Sequence, residues 1–179
     1  LRDRLTGPFI YDWRNMLTKD VQSNSLYQDI ESLMSSIGLD VVEVSSQEVK
    51  GSTVLRVYLS KKNQDITTDD LESAYNIIFP RYNVIYSNRD LSLEVTSPGL
   101  QRNLKDWNEF SLFEGRDVRV YSTKYSSYVV GRIEKVDGDQ LFLGDYLIED
   151  KGEKGESITL EYKDIAKAKL EYRWEGRNA

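Results

Sequence analysis

Six cations stand close together in the middle of the chain: Arg102, Lys105, Arg116, Arg119, Lys124 and, extending the group, Arg132. An arginine guanidinium is a planar fork that donates two hydrogen bonds to one phosphate, and a lysine adds a point charge. The chemistry on offer is therefore anion binding. Three tyrosines share the stretch, Tyr121, Tyr125 and Tyr128. Their rings can stack on bases; at this spacing they can equally pack one face of a small β fold, which is the reading taken here. From Pro98 to Lys135 there are 7 Lys/Arg against 5 Asp/Glu; from Leu1 to Ser97 there are 10 against 14, and from Val136 to Ala179, 7 against 11. The middle segment alone is basic. An excess of two also fits a solvated surface in which some of these cations pair with Asp117 or Glu134.

The composition narrows the classes of function. The 179 residues include no cysteine and no histidine, so disulfides, thiolate metal sites, thiol catalysis and imidazole acid–base chemistry are all closed. No cofactor loop or metal site replaces them, so no cofactor and no small-molecule substrate is expected, and an enzyme would have to work with carboxylates, lysines, tyrosines or hydroxyls alone. Asp69 and Asp70 are explained as helix-capping residues. Asp137-Gly138-Asp139 reads as a turn, and Gly152-Glu153-Lys154-Gly155 as a hairpin tip. The net charge of −6 argues against indiscriminate nucleic-acid binding. No apolar run approaches the roughly 20 residues of a membrane span, and residues 1–20 lack the apolar core of a signal peptide. The expected setting is the cytoplasm, away from membranes.

The elements that must position the cations follow from periodicity. Leu26, Ile30, Leu33, Met34 and Ile37 form one helical face, predicting a helix over about 25–37 with Asn24 as its cap. Leu39 to Ser46 and Thr53 to Ser60 read as a hairpin around Lys50-Gly51-Ser52. A second helix opens at Thr67, where Thr67 and Asp70 have capping-box spacing, and is expected to end at Pro80. Asp90 to Thr96 is a third strand. Ser97-Pro98-Gly99 is predicted to be a type II interdomain turn over 97–100, with Gly99 at positive φ. Arg102 and Lys105 then lie at the mouth between two domains. Beyond it come a short helix over 106–113 capped by Asp106, strands at 117–122, 128–136, 140–144, 157–162 and 167–172, a hairpin turn at Asp137-Gly138, and a loop over 145–156. Gly131 suits a bend within its strand.

The expected fold is thus α+β in two domains. An N-terminal α/β domain (helix-strand-strand-helix-strand) occupies 21–97 after an extension at 1–20. A linker at 98–106 follows, then a small SH3-like or Sm-like β-barrel with a C-terminal tail at 107–179.

Four stretches carry a family resemblance: "LEVTSPGLQRNL" from Leu93; Phe110, Phe113, Gly115, Arg116, Val118 and Val120; "DIAKAKL" from Asp164; and "ITTDDLE" from Ile66. Together they resemble the bacterial ribosome maturation factor RimP family over about Leu26 to Leu170. Gln101 and Asn103 stand where the family usually has an acidic residue and a proline. The resemblance implies a non-catalytic factor, a monomer, that binds the free small (30S) ribosomal subunit and assists its late maturation. It implies contacts with ribosomal RNA and with a basic small-subunit ribosomal protein near the decoding centre. Arg102, Lys105, Arg116, Arg119, Lys124 and Arg132 are the candidate contacts. The alternative is an SH3-like module that grips a peptide and touches no RNA.

Overall fold

The structure is a computed structural model and describes residues 24–62 and 64–172. The expected extension at 1–20 and the end of the tail lie outside the described residues. The first five elements are α1 (Ser25–Ser35), β1 (Asp40–Val49), β2 (Ser52–Ser60), α2 (Thr68–Ile85) and β3 (Asp90–Thr96), in the order the sequence predicts. β1 and β2 form an antiparallel hairpin around Lys50 and Gly51, both at positive φ. The crossover through α2 brings β3 parallel to β2, so β2 is central in the sheet. One face of β2, carrying Leu55, Val57 and Leu59, meets Ile30 and Met34 of α1 and Ala74 and Ile78 of α2 in the first core.

The helix ends reflect local chemistry. Asn24 accepts from the Leu26 N–H, and Thr67 and Asp70 form the predicted capping box. Pro80, however, does not end α2, which continues to Ile85. The proline is exposed, so water can satisfy the carbonyl it leaves unbonded. The turn beyond it is held by tertiary contacts. Arg81 donates two hydrogen bonds to Asp29 of α1, the buried Tyr82 donates a third at 2.8 Å, and this gain outweighs the proline's local penalty.

The second half contains β4 (Asn103–Leu104), α3 (Trp107–Leu112), β5 (Asp117–Ser122), β6 (Ser127–Asp137), β7 (Gln140–Ile148), β8 (Glu153–Glu161) and β9 (Ile165–Leu170). They make one antiparallel sheet in the order β4-β9-β5-β6-β7-β8. The ladder among the described residues is open: β4 and β8 are its ends and do not pair, so the expected barrel is not closed. Val118, Val120, Val129, Ile133, Leu141, Leu143, Leu160 and Ile165 still meet in one core, and Trp107 and Phe110 of α3, with Phe113 just past its end, pack into it.

Two further expectations are corrected here. Residues 145–156 are not a loop: β7 runs to Ile148, a single 3₁₀ turn spans Glu149–Lys151, and β8 begins at Glu153. The polar composition hid a hairpin whose Tyr146 ring lies over Gly155, where a Cβ would clash. The Pro-Gly corner is also different. Gly99 has no positive φ; its carbonyl instead accepts from Arg102 N–H at 3.0 Å, so the turn runs from Gly99 to Arg102. Gly131 does mark a bend, since the β6–β7 register slips between Val130 and Arg132 and a Cβ there would press on Gly144 O at 3.0 Å.

Candidate nucleic-acid interface

The predicted cations separate into two groups once folded. Arg102 and Lys105 are taken up by the joint between the two cores. A register slip between Val41 and Glu43 sets two residues of β1 against one of β2. Val41 enters the first core while its neighbour Val42 enters the second. Glu43 then meets the second half. Arg102 donates from Nε to Glu109 Oε2 at 2.7 Å and from Nη2 to Glu43 Oε2 at 2.8 Å, and lies over the Tyr58 ring. Its side chain is only 8% exposed and that of Glu109 4%. Lys105 Nζ donates to both Glu43 oxygens at 2.9 and 3.0 Å.

Burial by itself would lower the Arg102 pKa and raise that of Glu43. The ion pairs outweigh it, holding Arg102 above and Glu43 below their ordinary values. This Arg102 is a pin, not a groove residue open to phosphate. Arg116 bridges the halves too, with Nη2 2.7 Å from Asp65 Oδ1 and 2.8 Å from the Gln64 carbonyl.

Arg119 lies elsewhere, on the outward face of β5, β6 and β9. Strand alternation sends Val118 and Val120 to the core and Arg119 and Tyr121 outward. Arg119 stands opposite Lys169 of β9, and Tyr121 stands between Tyr128 of β6 and Lys167 of β9. Tyr121 and Tyr128 meet edge to face with centroids 5.1 Å apart. The Arg119 guanidinium carbon is 3.4 Å from the Tyr128 centroid, and Lys167 Nζ is 5.3 Å from it. Glu149 fixes Arg119 through two in-plane bonds of 2.9 and 2.6 Å, which hold its pKa above the ordinary value. Lys167 beside the Tyr128 hydroxyl, helped by Arg119, lowers that phenol's pKa against the opposing effect of burial.

The tyrosine expectation therefore divides. Tyr125 packs against the core, flanked by Lys124 and Lys151, whereas Tyr121 and Tyr128 lie on the outer face among cations. Lys124 and Arg132 are exposed, and no ion pair within 4 Å holds either among the described residues. Lys167 and Lys169 were absent from the sequence-based set because the segment carrying them is acidic in sum. The signal that could have found them is the alternation of "AKAKL", which puts both lysines on one face opposite Ala168 and Leu170.

The RimP N-terminal domain model matches residues 29–101, covering the first sheet and the turn after it. Two relatives extend the match through the second half. The chain is 26% identical over 154 residues to "Ribosome maturation factor RimP" of Borrelia turicatae (strain 91E135), covering 86% of this chain and 99% of that protein. It is 24% identical over 155 residues to the protein of the same name from Borrelia hermsii (strain HS1 / DAH), with the same coverage. The chain is similar to the RimP family: its first half matches the family's N-terminal domain, and most of its length aligns with proteins of that name. The four stretches that carried the resemblance fall on the start of α2, the joint, α3 with β5, and β9. The joint and α3 hold the two halves together and β5 and β9 carry the outward basic face, while the start of α2 belongs to the first core.

Proposed function

We propose that the chain is a non-catalytic, cytoplasmic ribosome maturation factor that acts as a monomer on the free small (30S) subunit, assisting its late maturation. The observation that carries this reading is the outward face of β5, β6 and β9. Arg119, Lys167 and Lys169 surround Tyr121 and Tyr128 there on a protein whose net charge is −6. Cations interleaved with rings suit phosphate and bases, while the acidic remainder suits a basic ribosomal protein near the decoding centre and repels unrelated RNA. The names of the relatives, matched along 99% of their length, point the same way. In this reading the ribosome-facing set is Arg119, Lys124 and Arg132 joined by Lys167 and Lys169. Arg102, Lys105 and Arg116 act through the joint.

The test is co-sedimentation with purified free small subunits, with joined ribosomes as control, at rising salt. The chain pellets with free subunits, and log affinity falls with log salt by about 0.7–0.9 per neutralised phosphate. Lys167→Glu/Lys169→Glu weakens pelleting and flattens the slope by roughly two contacts' worth. Equal pelleting with joined ribosomes, or a flat salt response as for a peptide groove, sinks the reading.

A further inference from the structure

The outward face contains a shallow groove of about 130 Å³ lined by Asn103, Arg119, Tyr128, Lys167, Ala168 and Lys169. It is smaller than the roughly 300–1,000 Å³ of sites that enclose a free small ligand. A groove of this size holds one flat group of something larger. The state of Arg119 says which kind. Its Nε and Nη2 donors already point into Glu149, so the side-on fork that would clasp a phosphate or a carboxylate is engaged, while Nη1 and the second Nη2 hydrogen are not taken by that carboxylate. One guanidinium face lies on Tyr128 at 3.4 Å. Beside those remaining donors, a ligand meets the other face, a surface suited to a planar π-system.

The neighbours supply the rest of a nucleotide's needs. Asn103 pairs with Lys169 across β4 and β9 and is exposed, so its amide presents a donor and an acceptor beside the groove. Lys167 is exposed, and Lys169, although 3.4 Å from Glu171, keeps its other donors. We propose that this groove is a subsite for one unpaired nucleotide of single-stranded RNA: the base stacks on Arg119, Asn103 bonds its edge, and Lys167 and Lys169 take the flanking phosphates. Duplex RNA does not fit, because its bases are stacked internally and its grooves present no free ring face. An acidic peptide would find Glu149 already on the side-on fork of Arg119 and would leave the guanidinium face unused.

This subsite rests on the RNA-contact reading above, and the experiment separates the two. The full chain is titrated into three end-labelled RNAs, and fluorescence anisotropy is followed. They are a single-stranded octamer, the same octamer with its central bases replaced by abasic sites, and a blunt duplex. The intact octamer binds about tenfold more tightly than the abasic one, the range expected for loss of base–side-chain stacking. Asn103→Ala narrows the spread of affinities among the four homopolymers and leaves abasic binding unchanged. Lys167→Ala/Lys169→Ala weakens intact and abasic RNA alike and lowers the salt slope by about 1.4, two phosphates at roughly 0.7 each. Equal affinity for intact and abasic RNA, tighter binding to the duplex, or displacement of the octamer by poly-glutamate as readily as by unlabelled RNA overturns the subsite. Absence of octamer binding by a chain that still pellets with free subunits also overturns it, while the proposed function stands. Failure of the wild-type chain to pellet strikes the function itself.

Discussion

Arg102 shows how one position changes meaning between sequence and structure. In the sequence it is a cation near a corner; in the fold it lies among Glu43, Glu109 and the Tyr58 ring, almost out of solvent. Removing one member of a buried ion group leaves the others charged and unpaired, which costs about 3–5 kcal/mol. Arg102→Met therefore lowers stability in urea titration by roughly that amount, whereas Lys105→Ala, with its side chain 60% exposed, changes it by about 1 kcal/mol or less. Glu43 adds a pH signature. Its folded pKa lies below the ordinary 4.5, so its ion pairs stabilise the fold above that pH and are lost as pH falls through the folded value. Carboxyl NMR of Arg102→Met shows the Glu43 midpoint moving upward. Asp70 offers a second titration. The Thr67 backbone N–H, Lys61 and the Thr67 hydroxyl hold it at about 2 instead of 3.8, so the capping box is intact above pH 3.8 and lost as pH falls through about 2. A carboxyl midpoint near 3.8 in the folded protein would contradict the capping geometry.

Among the helices, α2 is the one whose length the local pattern misjudged. Proline removes a helical hydrogen bond, and taken locally Pro80 should close the helix. Tyr82 and Arg81 reach Asp29 of α1 from beyond it, a bond set that no local window contains. Because Pro80 is exposed in a backbone that is already helical, Pro80→Ala restores the missing bond without disturbing packing. It is expected to raise the urea midpoint by the equivalent of ~1–2 kcal/mol, after the proline's effect on the unfolded chain is offset. An unchanged or lower midpoint would show that the proline is needed where it stands. The β6–β7 pair makes the opposite case. Gly131 reads as a bend, and the register slip beside it agrees. Gly131→Val must push into Gly144 O and Leu143 Cβ, both 3.0 Å from an added Cβ, so it destabilises by ~1–3 kcal/mol in the same titration.

At the scale of the whole molecule, two cores meet along a joint that is apolar at Val42 and Tyr58 and ionic at Glu43, Arg102, Lys105 and Glu109. A second line of contacts joins Arg116 to Asp65 and Lys62 to Glu114. The joint couples the halves, and calorimetry of the intact chain is expected to show one unfolding transition. Arg102→Met combined with Arg116→Ala removes the arginine from each ionic line and splits it into two; a single transition in that double variant would place the coupling in the apolar contact and the remaining Lys105–Glu43 and Lys62–Glu114 pairs. The local patterns of the chain determined its helices, most of its strands, the capping box, the bend at Gly131 and the family resemblance, because period, caps and turns are properties of short segments. They also marked Arg119 as a candidate for the interface, and its outward direction follows from strand alternation. The sequence could not say that Arg102 would be buried against two glutamates from distant elements, that Lys167 and Lys169 of an acidic segment would join Arg119 and Tyr128, or that the barrel strands would leave an open ladder. Those outcomes depend on pairing register and on contacts between residues 60 or so positions apart, for example Glu43 with Arg102 at a separation of 59. Only the tertiary structure decides which charges are neutralised inside and which remain on the surface, because that depends on which partners folding brings within a few ångströms.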